Sequence, residues 1–369
     1  MAVSRINEAG LNVNQYGNRN LIINGAMQVD QRGLYTITTT GSPEYGGPDR
    51  FFMWSYTSSE QVIGDVSQST DVPTGNGFGY SRKFDVTTAE SAVAVNEALV
   101  MSQFIEAQNL QHLEYGTSSA KEVTMSFWIK STKTGTYCFF INQEDGSRIY
   151  VKEYTVDASD TWEKKIITIP GDASGTINND NGRGFWVGWV LMAGSDRHGT
   201  ANAWRATDDD YATSNQVNAV DSTSNNIYLT GVQLEVGDTA TDFEHRTFGD
   251  EEQRCQRYYY RMKPINPSGG VAHAGAFNTH ARSSTELYGV VHLPTSMRTT
   301  PSIAISATGD MNAYHAATTL TVSSFTINGM STAASAEMNV SVSSGATAGN
   351  AGWIRINKAT GYIEFNSEL

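Results

Sequence analysis

The stretch T-Y-C-F-F-I-N-Q-E-D-G-S-R-I-Y-V-K-E-Y-T-V, residues 136–156, decides the fold class. Two runs rich in aromatic and β-branched residues flank the dipeptide Asp145-Gly146, a pattern that predicts a β-hairpin. Similar strand-like runs recur along the chain and are separated by turns. They include residues 78–86, 123–131, 162–169, 184–191 and 227–234. The sequence therefore predicts many short, antiparallel strands.

The composition agrees with an all-β fold. Only 17% of the 369 residues are charged, and aromatic and small polar residues are frequent. A chain of this length predicts two folded units. Antiparallel sheets with one buried face and one solvent-exposed face are typical of β-sandwiches. Residues 21–31 are expected to form a further strand that carries Ile23, Met27, Val29 and Gln31 on one face.

One segment has a helical pattern. Asp250 is a candidate N-cap for a helix running E-E-Q-R-C-Q-R-Y-Y-Y-R-M, with Cys255, Tyr259 and Met262 on one face. Pro264 would end it. We therefore expect an all-β chain with a jelly-roll-like antiparallel β-sandwich, a short connecting helix and a second, C-terminal β-sandwich.

The predicted boundaries follow from this pattern and from a change in composition near residue 268. Residues 1–20 form a polar arm, and residues 21–247 form the first sandwich. Residues 248–267 contain the connecting helix and linker. Residues 268–369, rich in Ser and Thr and poor in charge, form the C-terminal β domain.

Charge and cysteine content exclude several classes of function. The net charge of −13 argues against nucleic acid, whose phosphates need a basic surface. Cys138 and Cys255 are far apart in sequence and are interpreted as buried thiols rather than as a disulfide. Residues 1–10 lack the apolar core of a signal peptide, and no apolar run approaches the length of a membrane span. We expect a protein that folds in a cytoplasm and does not insert into membranes.

No catalytic motif is present, and the best candidate site is a polar loop. No paired histidines, G-x-S-x-G or P-loop occurs, so no transition-metal site, cofactor or enzymatic activity is predicted. Three interpretations of the loop remain open: a solvated acidic loop, a Ca²⁺ site, or a sugar-contacting loop in which aromatic rings stack and charged groups bind hydroxyls. The candidate residues are Trp204, Arg205, Asp208, Asp209, Asp210 and Tyr211.

Five tryptophans occur in strand-like runs. Trp186 and Trp189 differ by an odd number of positions, so they are expected to point to opposite faces of one strand. Trp54, Trp128 and Trp162 are expected in the core.

Several short motifs carry a resemblance to a known family. They are N-L-I-I-N-G-A-M-Q-V-D-Q-R-G (20–33), P-D-R-F (48–51), Q-F-I-E-A-Q-N-L (103–110), V-T-M-S-F-W-I-K-S (123–131), D-T-W-E-K-K-I-I-T-I-P-G-D (160–172), T-G-V-Q-L-E-V-G-D-T-A-T-D-F-E-H-R (230–246) and E-E-Q-R-C-Q-R-Y-Y (251–259). Together they resemble the carbohydrate-binding-module-like β-sandwich of bacteriophage tail fibre and receptor-binding proteins. The C-terminal part resembles the distal β domain that follows in such proteins.

The resemblance implies a homotrimeric virion protein that attaches the particle to host surface polysaccharide without catalysis. Its N-terminal arm would bind other virion proteins. A structural head-fibre or decoration protein is an alternative, and a glycan depolymerase that uses Asp208–Asp210 is a third.

Overall fold

A computed structural model describes residues 18–37, 41–56, 63–264, 274–316 and 318–369. The chain divides into two compact units, residues 1–248 and 249–369. Most of the predicted arm and part of the predicted linker lie outside the described residues.

In its described residues, the first unit is built from strands and two short 3₁₀ segments, Ala107–Leu113 and Ser195–Arg197. Its strands in chain order are β1 (Tyr35–Thr36), β2 (Pro43–Tyr45), β3 (Phe52–Tyr56), β4 (Gly64–Ser69), β5 (Ser81–Val86), β6 (Ala98–Glu106), β7 (Val123–Ser131), β8 (Gly135–Gln143), β9 (Arg148–Val156), β10 (Glu163–Ile169), β11 (Arg183–Ala193), β12 (Trp204–Arg205) and β13 (Asn226–Val236).

These strands form two antiparallel sheets. The six-stranded sheet has the order β1-β4-β5-β13-β7-β10, and the seven-stranded sheet has the order β12-β9-β8-β11-β6-β3-β2. Aromatic rings from both sheets meet in the core between them. Phe127 of β7 lies 5.7 Å from Trp189 of β11 and 5.2 Å from Tyr154 of β9, measured between ring centroids. The predicted all-β class with an antiparallel sandwich is confirmed.

The hairpin at residues 136–156 is also confirmed. Strands β8 and β9 pair without interruption from Gly135 opposite Val156 to Gln143 opposite Arg148. The turn between them contains Asp145.

Residues 21–31 do not form the predicted strand. They follow a series of turns, with Asn24 in the left-handed region at φ 61°. The carboxamide of Asn20 donates to Val232 O at 3.0 Å and accepts from Leu234 N at 3.1 Å. Gly25 approaches the same strand so closely that a Cβ there would lie 2.1 Å from Val232 O. The prediction was wrong because asparagine side chains replace the hydrogen bonds of a strand ladder here.

The second unit contains all of helix α1 (Phe248–Gln256) except its first residue, and a 3₁₀ turn at Thr308–Asp310. Its strands are β14 (Tyr259–Met262), β15 (Ala274–Ala281), β16 (Glu286–His292), β17 (Ser302–Ile305), β18 (Met311–His315), β19 (Thr318–Ile327), β20 (Ser335–Val342), β21 (Ala351–Ile356) and β22 (Ile363–Asn366).

Six of these strands close into a barrel of order β15-β16-β20-β19-β18-β21, beside a three-stranded sheet β14-β22-β17. The sequence predicted a second sandwich here. The barrel forms because β15 pairs with β16 on one side and with β21 on the other, which leaves the sheet without an edge. Alternation along β20 buries Met338 and Val340 inside it.

The predicted helix is shorter than expected. It ends at Gln256, and Tyr259–Met262 is strand β14. Tyr259 pairs with Asn366, and Met262 pairs with Ile363. Aromatic residues favour strands, and a partner strand from the end of the chain prevails over the local helical pattern. In the described parts of the chain, no helix is both long and apolar enough to cross a bilayer.

Candidate functional site

A group of aromatic side chains lies on the outer face of the seven-stranded sheet. Phe52, Trp54 and Tyr56 alternate along β3, so they share this face. We call the following residues the outer aromatic cluster: Phe52, Trp54, Phe104, Phe140, Trp186 and Tyr211. None of these six rings belongs to the hydrophobic core between the sheets.

Trp186 lies at the middle of this cluster. Its ring centroid is 5.4 Å from Trp54, 5.1 Å from Phe140 and 5.2 Å from Tyr211. The Nε1 group of Trp186 is buried and has no hydrogen-bond partner among the described residues. The expected division between the two tryptophans of β11 is confirmed, because Trp189 packs in the core and Trp186 packs on the outer face.

Gly188 makes this packing possible. It lies two residues after Trp186 on the same face, and β8 and β6 place Phe140 and Ser102 opposite it. A Cβ at this position would lie 2.4 Å from the Phe140 ring and 2.7 Å from Val100. Because Gly188 has no side chain, the Phe140 ring can pack directly against the backbone of β11.

The predicted loop crosses this face and adds Tyr211 to the cluster. Only 3% of Tyr211 is exposed, and its ring lies 5.3 Å from Trp54 and 5.1 Å from Phe140. Burial raises the pKa of the Tyr211 hydroxyl. Tyr211 therefore supports the cluster from within and offers no open ring face for stacking.

One rim of the cluster is aromatic and charged. The rings of Trp54 and Tyr56 are stacked at 6.2 Å with an interplanar angle of 19°, and Tyr56 is 37% exposed. The Arg197 guanidinium lies 5.1 Å from the Tyr56 ring centroid. Arg197 also forms an ion pair with the exposed carboxylate of Asp209 at 3.1 Å. Trp54 was expected in the core, but it is partly exposed here, as Trp128 and Trp162 are elsewhere.

The other rim is built around Glu144. Its carboxylate accepts a hydrogen bond from Asn142 Nδ2 at 3.1 Å and lies 3.9 Å from Arg183 Nη1. The Arg183 guanidinium lies 4.1 Å from the Phe104 ring centroid. Burial raises the pKa of Glu144; Arg183 opposes this effect, and the negative charge of Asp208 adds to it. Asp208 of the predicted loop therefore contributes to the raised pKa of Glu144.

Trp204 and Arg205 lie away from the cluster, in the short edge strand β12. The Nε1 group of Trp204 donates to Pro170 O at 2.7 Å, and the indole packs against Tyr115 and Tyr150. Arg205 forms an ion pair with Asp210. The structure therefore brings Asp208, Asp209 and Tyr211 to the cluster and leaves the other three predicted residues beside β9.

A cleft of about 430 Å³ lies near Trp204. Tyr115 lines it, and the Tyr115 hydroxyl is buried without a hydrogen-bond partner among the described residues. The other lining residues are Leu110, Gln111, Glu114, Thr117, Ser119 and Ile177.

The three acidic residues of the loop do not converge. Asp209 is paired with Arg197, Asp210 is paired with Arg205, and Asp208 is exposed. Within the described ranges, no group of three or more histidine, cysteine, aspartate or glutamate residues is arranged to hold a metal ion.

Sequence reasoning missed Trp54, Tyr56, Glu144, Arg183 and Arg197. A signal for the first two was present, because F-M-W-S-Y places three aromatic residues at alternate positions on one strand face. No comparable signal exists for the charged residues, since each reaches the cluster from a different strand or loop.

No protein-family model matches this chain, and no curated protein matches it. The similar solved structures include the enzymatically active domain of tailspike protein 4 from bacteriophage CBA120, at 13% identity and a TM-score of 0.33. That alignment covers 59% of this chain but only 22% of the tailspike chain.

Structures with carbohydrate-related names are also among the matches. A putative sugar-binding protein from Bacteroides thetaiotaomicron has 8% identity and a TM-score of 0.32, covering 59% of this chain and 100% of that one. A family 11 carbohydrate-binding module from Clostridium thermocellum has 15% identity and a TM-score of 0.26, covering 57% and 99%.

Proposed function

We propose that the first unit binds carbohydrate without catalysis, through the outer aromatic cluster and its two charged rims. The observation that carries this proposal is the stacked pair of partly exposed Trp54 and exposed Tyr56 beside Arg197 and Asp209. Aromatic faces stack on the C–H groups of sugar rings, and flanking charged groups hydrogen-bond hydroxyls.

We propose further that the protein is a phage fibre that attaches the virion to host surface polysaccharide as a homotrimer. The sequence motifs that resemble phage receptor-binding proteins support this assignment. Three weak sites on one trimer would raise the apparent affinity, because the second and third contacts become intramolecular.

Adsorption competition tests attachment. Host cells are incubated with purified protein, and the phage that still attach are counted. We expect the protein to block adsorption and the Trp54→Ala variant to block it less. Unimpeded adsorption by a folded trimer would instead favour a head-fibre or decoration protein.

Glu144 favours a second candidate, a glycan depolymerase. A carboxyl group whose pKa is raised by burial near another carboxylate has the properties of a general acid. Release of reducing ends from host polysaccharide, abolished by Glu144→Gln, would replace the non-catalytic proposal. No release at enzyme excess would remove the depolymerase.

A further inference from the structure

The described part of the first unit begins and ends side by side. Its first residues, 18–25, form what we call the entry segment, and its last residues, 242–248, form the exit segment. Hydrogen bonds join the two segments, although more than 200 residues separate them in sequence. Because the polypeptide is continuous, any pull on the chain outside this unit reaches it through one of these segments.

Arg246 is the centre of this junction. Its guanidinium donates to the backbone oxygens of Asn20 and Ile22, the latter at 3.1 Å, and lies 3.0 Å from the Glu244 carboxylate. That carboxylate accepts a hydrogen bond from Asn20 N at 2.9 Å. The Arg246 side chain is only 7% exposed, and hydrogen bonds to charged groups are stronger than those between neutral groups. Burial alone would raise the pKa of Glu244, but hydrogen bonds from the Asn20 backbone and the Arg246 charge outweigh it and hold the pKa low.

On its other side, the entry segment is bonded to the end of β13. Leu21 N donates to Leu234 O at 2.8 Å, and Val232 N donates to Gly25 O at 2.9 Å. The carboxamide of Asn20 bonds to the same two residues of β13. Since β13 lies between β5 and β7, the entry segment is fastened to an inner strand of the six-stranded sheet.

The order of the bonds in the junction determines how tension would load them. Arg19 Nη2 donates to Asp242 O at 2.6 Å, and further along both segments Arg246 Nη1 donates to Ile22 O. The residue numbers rise together, so the two segments run in the same direction. Pulling the two chain ends of the unit apart therefore slides one segment along the other. This shear loads all the bonds of the junction at once, whereas a peeling load would break them one after another.

We propose that this junction is a mechanical clamp that carries tension between the two ends of the first unit. Tension that passes directly from the entry segment to the exit segment does not load the strands of the sandwich between them. A virion held at a host surface would be one source of such tension. The strength of the clamp does not depend on what the protein binds, so this inference and the proposed function can fail separately.

Optical tweezers test the clamp on the full-length protein, which is held at constant force by handles on its N- and C-termini. The two units are distinguished by the length of chain that each releases on unfolding. At about 3.5 Å per residue, residues 18–246 release roughly 800 Å, and the second unit releases roughly 400 Å. The measured quantity is the lifetime of the first unit before the longer step.

We expect Arg246→Ala to shorten this lifetime by about tenfold or more, because forced unfolding follows the unfolding rate and two bonds from a charged donor are lost. Arg148→Ala is the matched control, since the Arg148 guanidinium also pairs with a buried carboxylate, that of Asp172, but lies outside both segments. Arg148→Ala should lower the free energy of unfolding in urea and leave the lifetime under force unchanged.

Two results would overturn the clamp. One is an equal lifetime for Arg246→Ala and the unchanged protein. The other is equal shortening by Arg246→Ala and Arg148→Ala, because Arg246 would then contribute only general stability. If Arg246→Ala does not fold, Arg19→Ala provides the test through the loss of its bond to Asp242 O. We expect it to shorten the lifetime by about threefold or more, and an unchanged lifetime would also overturn the clamp.

Discussion

Trp186 and Trp189 lie three residues apart on β11 and point to opposite faces of the same sheet. The Trp189 ring lies 5.3 Å from Phe139 in the core, whereas the Trp186 ring lies 5.4 Å from Trp54 on the outer face. One strand therefore links the packing that holds the sandwich together to the surface proposed to bind carbohydrate.

Stability and binding should separate at these tryptophans. We expect Trp189→Ala to lower the free energy of unfolding by about 3–5 kcal/mol, because it leaves a large cavity in the core. Trp54→Ala should cost less, about 1–2 kcal/mol, since its ring is only partly buried. Urea denaturation followed by circular dichroism measures both values. Equal losses would show that Trp54 is a core residue after all.

Gly188 should not tolerate a side chain. Gly188→Ala would press a methyl group into the Phe140 ring, and we expect a loss of about 1–3 kcal/mol in the free energy of unfolding. Gly79→Ala is the matched control, because no atom lies within 4 Å of a Cβ added there. Thermal melts of the two variants make the comparison, and an unchanged melting temperature for Gly188→Ala would contradict the packing described here.

Asp172 should make the first unit sensitive to acid. Its carboxylate accepts hydrogen bonds from Gln143 at 2.8 Å and from Arg148 at 3.1 Å. Burial alone would raise the pKa of Asp172, but these hydrogen bonds and the Arg148 charge outweigh it and hold the pKa below 3.8. A group with a lowered folded-state pKa stabilises the fold above its unfolded pKa, and this contribution is lost as the pH falls through the folded value.

We therefore expect Asp172→Asn to reduce stability by about 1–3 kcal/mol at neutral pH. The difference from the unchanged protein should shrink below pH 3.8. Urea titrations at several pH values measure it. Asp157→Asn, whose carboxylate is 72% exposed, should show no such dependence. A constant difference across the whole pH range would exclude Asp172 as the cause.

Calcium should leave the protein unchanged. Asp209 and Asp210 already have arginine partners, so the acidic loop offers few free oxygen ligands. We expect the same melting temperature in excess CaCl₂ and in EDTA, measured by differential scanning calorimetry. A higher melting temperature in CaCl₂ than in EDTA, with no such difference in Asp208→Asn, would support the interpretation of this loop as a Ca²⁺ site.

Local patterns predicted the parts of the fold that depend on neighbouring residues. The hairpin at Asp145-Gly146 and the opposite orientations of Trp186 and Trp189 followed from turn chemistry and from the two-residue period of a strand. The structure of the segment after Asn20 did not follow from local patterns, because the hydrogen-bond partners of Asn20 on β13 lie more than 200 residues away in sequence. Strand β14 was mistaken for helix for the same reason, since its partner β22 is at the end of the chain.

The candidate site was predictable only in part. The sequence identified the loop that crosses the outer face, but it could not show that Tyr211 is buried beneath it or that Arg205 is paired with Asp210. The rims are formed by residues from β3, β11, the 3₁₀ segment Ser195–Arg197 and two separate loops, and such convergence depends on the tertiary fold.

The most direct test of the central claim is retention of the protein by purified host polysaccharide in affinity gel electrophoresis. We compare the unchanged protein with Trp54→Ala and with Trp162→Ala, a partly exposed tryptophan whose Nε1 donates to Asp71. We predict retention of the unchanged protein and of Trp162→Ala. We predict about tenfold weaker binding for Trp54→Ala, because the variant lacks the aromatic ring on which a sugar would stack. Equal retention of all three would contradict the account, because the stacked Trp54–Tyr56 rim would then contribute nothing to binding.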